Sequence, residues 1–378
     1  MKWAKLSRRF GALFLALAGI WCLMGASGPG SAADLTLAGS SATAPALWER
    51  LLVGQSPYLQ HGKVLTFTDR ASENKPATLP EAVATPTPTG PVSLEDETPI
   101  AQNQSQEQNV VAQTILPTND GAYPSAGGVF LYNRTSQAVD LEALAKEPVV
   151  LSGQGKGPQI LIVHTHATES YTQSGQDLYT ESDPYRTLDD AHNVVRVGDE
   201  MAAAFAQAGL NVLHDRTLHD YPNYNGAYTR SKVTVEEYLA AYPSIAVVLD
   251  VHRDALVGSE GTVYKVVADS ENLPGCAQVM LVVGTEENGG SHPNWHQNLA
   301  FAMTLERALN EKAPTLARPI ALRKSHYNQN LSPGSLLVEV GGHGNSLAEA
   351  LTAARTFAQA TAPVIKSLLP EQQTEPPS

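Results

Sequence analysis

The sequence predicts an α/β domain: an open, twisted, mostly parallel sheet with helices on both faces. Three observations predict it. Short continuous apolar runs, at residues 159–163, 245–251 and 336–340, read as buried strands. Segments with helical spacing lie between them, and such alternation builds a parallel sheet. Polar, chemistry-bearing residues gather where those runs end, the edge at which open α/β sheets bind ligands.

The elements follow in order. Residues 1–9 carry Lys2, Lys5, Arg8 and Arg9 and no acid, and residues 10–26 carry no charge. This is the layout of a secretory signal or a signal-anchor, with a small-residue stretch at 31–33 as a cleavage site. The basic side faces the cytoplasm, so the rest is expected outside the membrane. Residues 34–70 hold one short amphipathic piece and no assigned role. Residues 71–125 mix Pro76, Pro80, Pro86, Pro88, Pro91 and Pro99 with Thr, Glu and Gln, and read as a disordered linker. The globular domain is expected over 126–370, with a tail at 371–378.

Within the domain, residues 127–133 read as a strand, 139–145 as a short helix, and 159–163 as a buried strand. Residues 193–208 place Val194, Val197, Met201, Ala204, Phe205 and Ala208 on one helical side, and Gly209 stops the helix. Strands follow at 210–213, 245–251, 262–267, 278–284, 320–322 and 336–340. Helices are expected at 234–241, 295–310 and 347–368.

Composition narrows the function. Twenty-five Lys and Arg stand against 38 Asp and Glu, a formal charge of −13, which argues against a non-specific grip on nucleic acid. The only cysteines are Cys22, inside the apolar N-terminal run, and Cys276. A disulfide-stapled fold and a cysteine zinc finger are therefore excluded. Ser335 lacks the context of a serine-hydrolase elbow, Cys276 lacks a histidine partner, and no phosphate-binding loop is present.

What remains is metal chemistry. Residues 160–163 run into His164, His166 and Glu169; residues 245–251 run into His252, Arg253 and Asp254; residues 336–338 run into Glu339. A catalytic zinc needs three N or O ligands and an open position for water. His166, Glu169 and His252 are the expected ligands, and Glu339 the expected proton acceptor. His164 is an alternative ligand or, in preference, a contact that supports a ligand or meets the substrate. His192 rivals Glu169 as second ligand. Asp250, a carboxylate inside an apolar strand, is expected to orient a ligating histidine. Arg253 is expected to meet a substrate carboxylate or oxyanion, or else to pair with Asp250 or Asp254.

Four blocks of this chain, 162–171, 193–198, 249–255 and 337–345, resemble stage II sporulation protein P, over roughly residues 127–368. The resemblance implies a zinc amidase/carboxypeptidase-like fold and an N-acetylmuramoyl-L-alanine amidase that also cuts peptide cross-links. It implies peptidoglycan as substrate and work in the septal space during engulfment of the forespore, beside stage II sporulation proteins D and M. The zinc carboxypeptidase order matches His166, Glu169, His252 and Glu339. The amidase register places the second ligand at position 192. Two other readings compete: a zinc carboxypeptidase trimming stem peptides, and a wall-binding scaffold without metal.

Overall fold

The computed structural model describes residues 110–117, 123–258, 261–269 and 271–370. The expected membrane segment, the region 34–70, most of the linker and the tail lie outside the described residues. Among the described residues no helix is long and apolar enough to cross a membrane.

The elements are β1 (Val110–Gln113), β2 (Ser125–Ala126), β3 (Val129–Asn133), α1 (Leu141–Leu144), β4 (Ile160–Val163), α2 (Val194–Gln207), β5 (Val212–His214), α3 (Ala227–Ala241) and β6 (Val247–Asp254). They continue with β7 (Val263–Val266), β8 (Val279–Gly284), α4 (Trp295–Lys312), β9 (Ile320–Arg323), a 3-10 turn (Gln329–Leu331), β10 (Ser335–Gly342) and α5 (Leu347–Leu368). Eight strands form one sheet in the order β2-β3-β9-β8-β10-β6-β4-β5. The pairs β3/β9, β8/β9, β10/β6, β4/β6 and β4/β5 are parallel, while β2/β3 and β10/β8 are antiparallel. The sheet is thus mostly parallel, and the β10/β8 joint sets β3, β9 and β8 opposite in direction to β10, β6, β4 and β5. The block β5, β4, β6 and β10 delivers its carboxyl ends to one edge.

The two faces are covered unequally. Ile160, Ile162, Leu249, Val251, Val338 and Val340 pack with α2, α4 and α5, and Phe205 of α2 meets Phe357 of α5 edge to face at 6.3 Å. Leu161, Val163 and Val248 pack on α3 through Val235 and Tyr238, while Met280, Val282 and Leu337 meet Tyr228 and Tyr327. Side chains alternate along a strand. Asp250, His252 and Glu339 therefore stand on the α3 face, which leaves room above them.

The helix ends follow their sequence signals. Asn193 caps α2 by accepting from Val195 N, and Gly209 takes φ +82° behind its last turn. Ser346 and Glu349 form a capping box on α5.

Three expectations are corrected. First, β1 lies inside the expected linker. Val110, Val111 and Ala112 form a short apolar run that pairs in parallel with β7, and Gln278 holds Ile115 from both sides, accepting from its N–H and donating to its carbonyl. Second, β7 belongs to this small two-stranded sheet, not to the main one. Third, α3 begins at Ala227, a full turn and more before its apolar signal. Its early residues Tyr228 and Ser231 are buried by tertiary contacts that periodicity does not reveal.

Gly284 ends β8 where the chain passes under the loop after β9. A Cβ there would collide with the carbonyl oxygen of Ser325 and the backbone of His326. Overpacking of this kind costs about 1–3 kcal/mol, or about 2–4 °C of midpoint per kcal/mol for a domain of this size. Thermal unfolding of Gly284→Ala should show a drop of several degrees. An unchanged midpoint would mean that the close approach is relieved without cost.

Candidate metal centre

β4 ends at Val163 and the chain turns at once, with Glu169 N donating to His166 O at 3.1 Å. That turn brings His166 and Glu169 together. It is pinned on both sides. Thr165 donates its N–H and hydroxyl to the two oxygens of Asp250 at 2.8 and 2.7 Å. Thr168 donates its hydroxyl to Asp220 at 2.6 Å, and Val194 N at the start of α2 donates to Glu169 O at 2.8 Å.

His252 arrives from β6. Its ligand atoms and those of His166 and Glu169 lie within 4.8 Å of one another, the one group of three or more such side chains among the described residues. His252 Nδ1 is 3.5 Å from Glu169 Oε2, and His166 Nδ1 is 3.7 Å from Glu169 Oε1. All three residues are buried. Glu339 is the register partner of His252 across the parallel β10/β6 ladder, so the two side chains rise side by side from one face.

The electrostatics separate the members. Burial pushes His166 down to about 3, so its imidazole is neutral and keeps a lone pair. Burial works against ionising Glu169, but Arg253, His252 and Arg186 together hold it well below the usual carboxylate range. Burial likewise opposes a charge on His252, yet Asp250 and Glu169 raise it well above the ordinary imidazole value. Glu339 is pushed up to about 8, by burial first and by Asp254 second.

The donor set suits a zinc ion: two imidazoles and one ionised carboxylate, all buried. Two buried atoms, His252 Nε2 and Glu339 Oε2, have no aligned hydrogen-bond partner. His252 Nε2 lies 2.9 Å from Asp250 Oδ1 but off the hydrogen-bond axis. Asp250 thus turns Nε2 toward itself and leaves Nδ1 facing Glu169. Carboxylates commonly orient ligating histidines in this way.

Other expected residues sit elsewhere. His164 is fully buried on the opposite face of the sheet, with Nδ1 2.8 Å from Val251 O and Nε2 2.8 Å from His214 Nε2. Strand alternation turns it away from His252, so it has no route to a substrate at this cluster. His192 faces Tyr179 and Asp189 and is not part of the convergent group. Arg253 is buried and structural: its backbone N–H reaches Glu169 Oε2, Nε donates to Ser170 O, and Nη2 donates to Tyr185 O. It pairs with Glu169, not with Asp250 or Asp254; Arg318 is the partner of Asp254. Burial lifts the Cys276 thiol to about 11, which fits an inert core residue.

Sequence reasoning missed the frame around the cluster. Arg186 bridges Asp220 at 2.7 Å and Glu169 at 3.3 Å and lies over the Tyr224 ring. Tyr224 stacks on His166, and Tyr228 lies parallel to His252. Tyr224 lies before α3 and Tyr228 in its first turn, so no helical spacing marks the pair. Nor does any mark Arg186.

Fold and cluster together define an α/β protein with a buried two-histidine, one-carboxylate centre at the carboxyl edge of parallel strands. Comparison with known proteins narrows the class. The chain belongs to the stage II sporulation protein P (SpoIIP) family, whose model matches residues 55–362. The stage II sporulation protein P of Bacillus subtilis (strain 168) is 29% identical over 210 residues, 53% of this chain and 49% of that protein, so the chain spans about half the length of that relative. Among solved structures, the CwlD amidase from Clostridioides difficile in complex with the GerS lipoprotein is 13% identical. It covers 56% of this chain and 98% of its own, with a TM-score of 0.35. The N-acetylmuramyl-L-alanine amidase Ami1 from Mycobacterium smegmatis is 11% identical, with coverages of 58% and 100% and a TM-score of 0.34. AmiC2 of Nostoc punctiforme, an N-acetylmuramoyl-L-alanine amidase, is 12% identical, with coverages of 56% and 99% and a TM-score of 0.30.

Elemental analysis after dialysis should find zinc in the wild-type chain and in His192→Ala, and none in His252→Ala. Retention of metal by His252→Ala would remove His252 from the site.

Proposed function

We propose that this protein is a zinc-dependent peptidoglycan hydrolase that cleaves the amide between the lactyl group of N-acetylmuramic acid and L-alanine. The observation that carries the reading is the convergence of His166, Glu169 and His252 beside Glu339. Membership of the SpoIIP family supports a role in sporulation.

His166, Glu169 and His252 would hold the zinc, which supplies Lewis-acid chemistry to the scissile carbonyl and the attacking water. Glu339 Oε2 accepts a proton from that water as its oxygen bonds to the carbonyl carbon. The same carboxyl then passes the proton to the leaving amide nitrogen as the C–N bond breaks. The products are a free lactyl carboxylate and a stem peptide with a new amino terminus. Arg186 and Arg253 keep Glu169 ionised and fixed. Tyr224 and Tyr228 wall the histidine rings and exclude water from that side.

A stem-peptide carboxypeptidase would need a free guanidinium for the terminal carboxylate. Arg253 is committed to Glu169, Ser170 and Tyr185, which disfavours that reading. Anchoring in the cell membrane through residues 1–33, with the hydrolase domain outside the cytoplasm, belongs to the same proposal and rests on the basic and apolar pattern of that segment. Cleavage of cross-links and work beside stage II sporulation proteins D and M belong to it too and rest on the resemblance.

Mass analysis of fragments released from purified peptidoglycan tests the bond. Free peptides beginning with L-alanine, lost on chelation and restored by zinc, are expected. Products altered only at peptide carboxyl termini would favour the carboxypeptidase, and binding without release would favour a scaffold.

Glu339→Gln should keep its zinc and lose about 10²–10⁴-fold in turnover. Because burial raises this carboxyl to about 8 in the metal-free chain, it holds its proton below that pH and cannot act as a base. Turnover should therefore rise with pH along a limb whose midpoint lies at or below about 8, since a nearby dication favours the carboxylate. A rate that is flat across pH 5–9 would remove Glu339 as the base.

A further inference from the structure

Behind the cluster, between β4, β6 and α3, a line of polar side chains runs to the carboxylate that orients His252. Thr165 Oγ1 donates to Asp250 Oδ2 at 2.7 Å. That hydroxyl has spent its proton, so its 2.7 Å contact with Ser231 Oγ must be donated by Ser231. Tyr228 O is a more distant acceptor for the same serine, at 3.3 Å. Asn328 Nδ2 donates to Ser231 Oγ at 3.2 Å and to Tyr228 O at 2.8 Å. Every bond therefore points one way, from the Asn328 amide through two hydroxyls to Asp250. Thr165 and Ser231 are each 1% exposed, so solvent does not compete along the line. Chains of buried hydrogen bonds polarise one another.

The anchor of this chain is costly to build. Tyr327 and Asn328 take φ +49° and +57°, two consecutive non-glycine residues in the left-handed region. Such conformations persist where the surroundings over-determine them. The same loop presses the Tyr327 ring on Tyr228 at 5.8 Å, and Tyr228 lies parallel to the His252 ring. The loop after β9, far from His252 in sequence, thus reaches it by a polar and an aromatic route.

We infer that Asn328, Ser231 and Thr165 are positioning residues that fix His252 for the metal ion through Asp250. The inference rests on the zinc reading above. None of the three touches the ion or the substrate. Thr165 holds both oxygens of Asp250 through its N–H and hydroxyl, and Ser231 and Asn328 orient that hydroxyl, so that His252 Nε2 stays turned to Asp250 and Nδ1 stays turned to the site.

A cavity of about 10 Å3 beside Thr165, Ser231, Asp250 and Asn328 has room for about one water. A water next to a deleted Ser231 hydroxyl would replace it, so the informative changes are at the two ends. Thr165→Val removes the hydroxyl at constant shape, and Thr165→Ser retains it. Asn328→Gly removes the anchor while suiting the left-handed backbone.

The experiment is zinc competition against a chromophoric chelator on the full chain, with the visible spectrum of the cobalt-substituted protein and the unfolding midpoint of the metal-free protein. Thr165→Val should weaken zinc binding about 10–100-fold, as loss of outer contacts to a ligand does. Thr165→Ser should restore it. Asn328→Gly should weaken zinc binding and shift the cobalt spectrum without lowering the metal-free midpoint. A merely structural role would lower the midpoint and leave the cobalt spectrum of the folded protein unchanged. Wild-type zinc binding matched by both Thr165→Val and Asn328→Gly would overturn the inference. Failure of the wild-type chain itself to bind zinc would overturn the metal reading and this inference with it.

Discussion

The constraint on which the rest depends is the burial of the Glu169 carboxylate. A charge in that position is tolerated only when it is paired and hydrogen-bonded. The chain meets the requirement from three directions: Arg186 out of the loop before α2, Arg253 from the end of β6, and the imidazoles of His166 and His252. Removing one partner of such a pair costs about 3–5 kcal/mol, because the survivor is left uncompensated. The network therefore fixes the course of the loop between β4 and α2, and that loop closes one side of the site. It also holds the Arg253 guanidinium among Glu169, Ser170 and Tyr185. Its Nε and Nη2 donate to the carbonyls of Ser170 and Tyr185, and its Nη1 lies 3.9 Å from Glu169 Oε1.

Sheet polarity does the remaining work. The antiparallel joint between β8 and β10 turns half the sheet around. β4, β6 and β10 then end together, and strict alternation separates two sets of polar residues. Asp250, His252 and Glu339 emerge on the thinly covered α3 face. His164 passes to the opposite face, among α2 and His214. Two histidines separated by one residue in the sequence thus serve different sides of the sheet. The turn after Val163, closed by Glu169 N on His166 O, carries His166 out of the alternating pattern to meet Glu169.

Much of this was legible in the sequence. The apolar runs at 159–163, 245–251 and 336–340 marked the central strands, because a strand buried on both faces leaves no polar gap. Asn193 and Gly209 bracketed α2 through local backbone chemistry. Asp250 was conspicuous as a carboxylate inside an apolar strand. What was not legible depends on the third dimension. β1 is four residues in a polar stretch, and its partner lies about 150 residues away. The fate of His166 hinges on the strand ending at Val163, after which the chain leaves the alternating pattern that His164 still follows. Arg186, Tyr224 and Asn328 act through contacts between loops, for which sequence spacing carries no periodic signal.

The measurement that tests the central claim most directly is anomalous diffraction at the zinc edge from crystals of the zinc-loaded protein. A single strong peak bounded by His166, the Glu169 carboxylate and His252 Nδ1, with Glu339 alongside and unligated, is expected. A peak held by His192 or His164, or no peak among His166, Glu169 and His252, would contradict that ligand set.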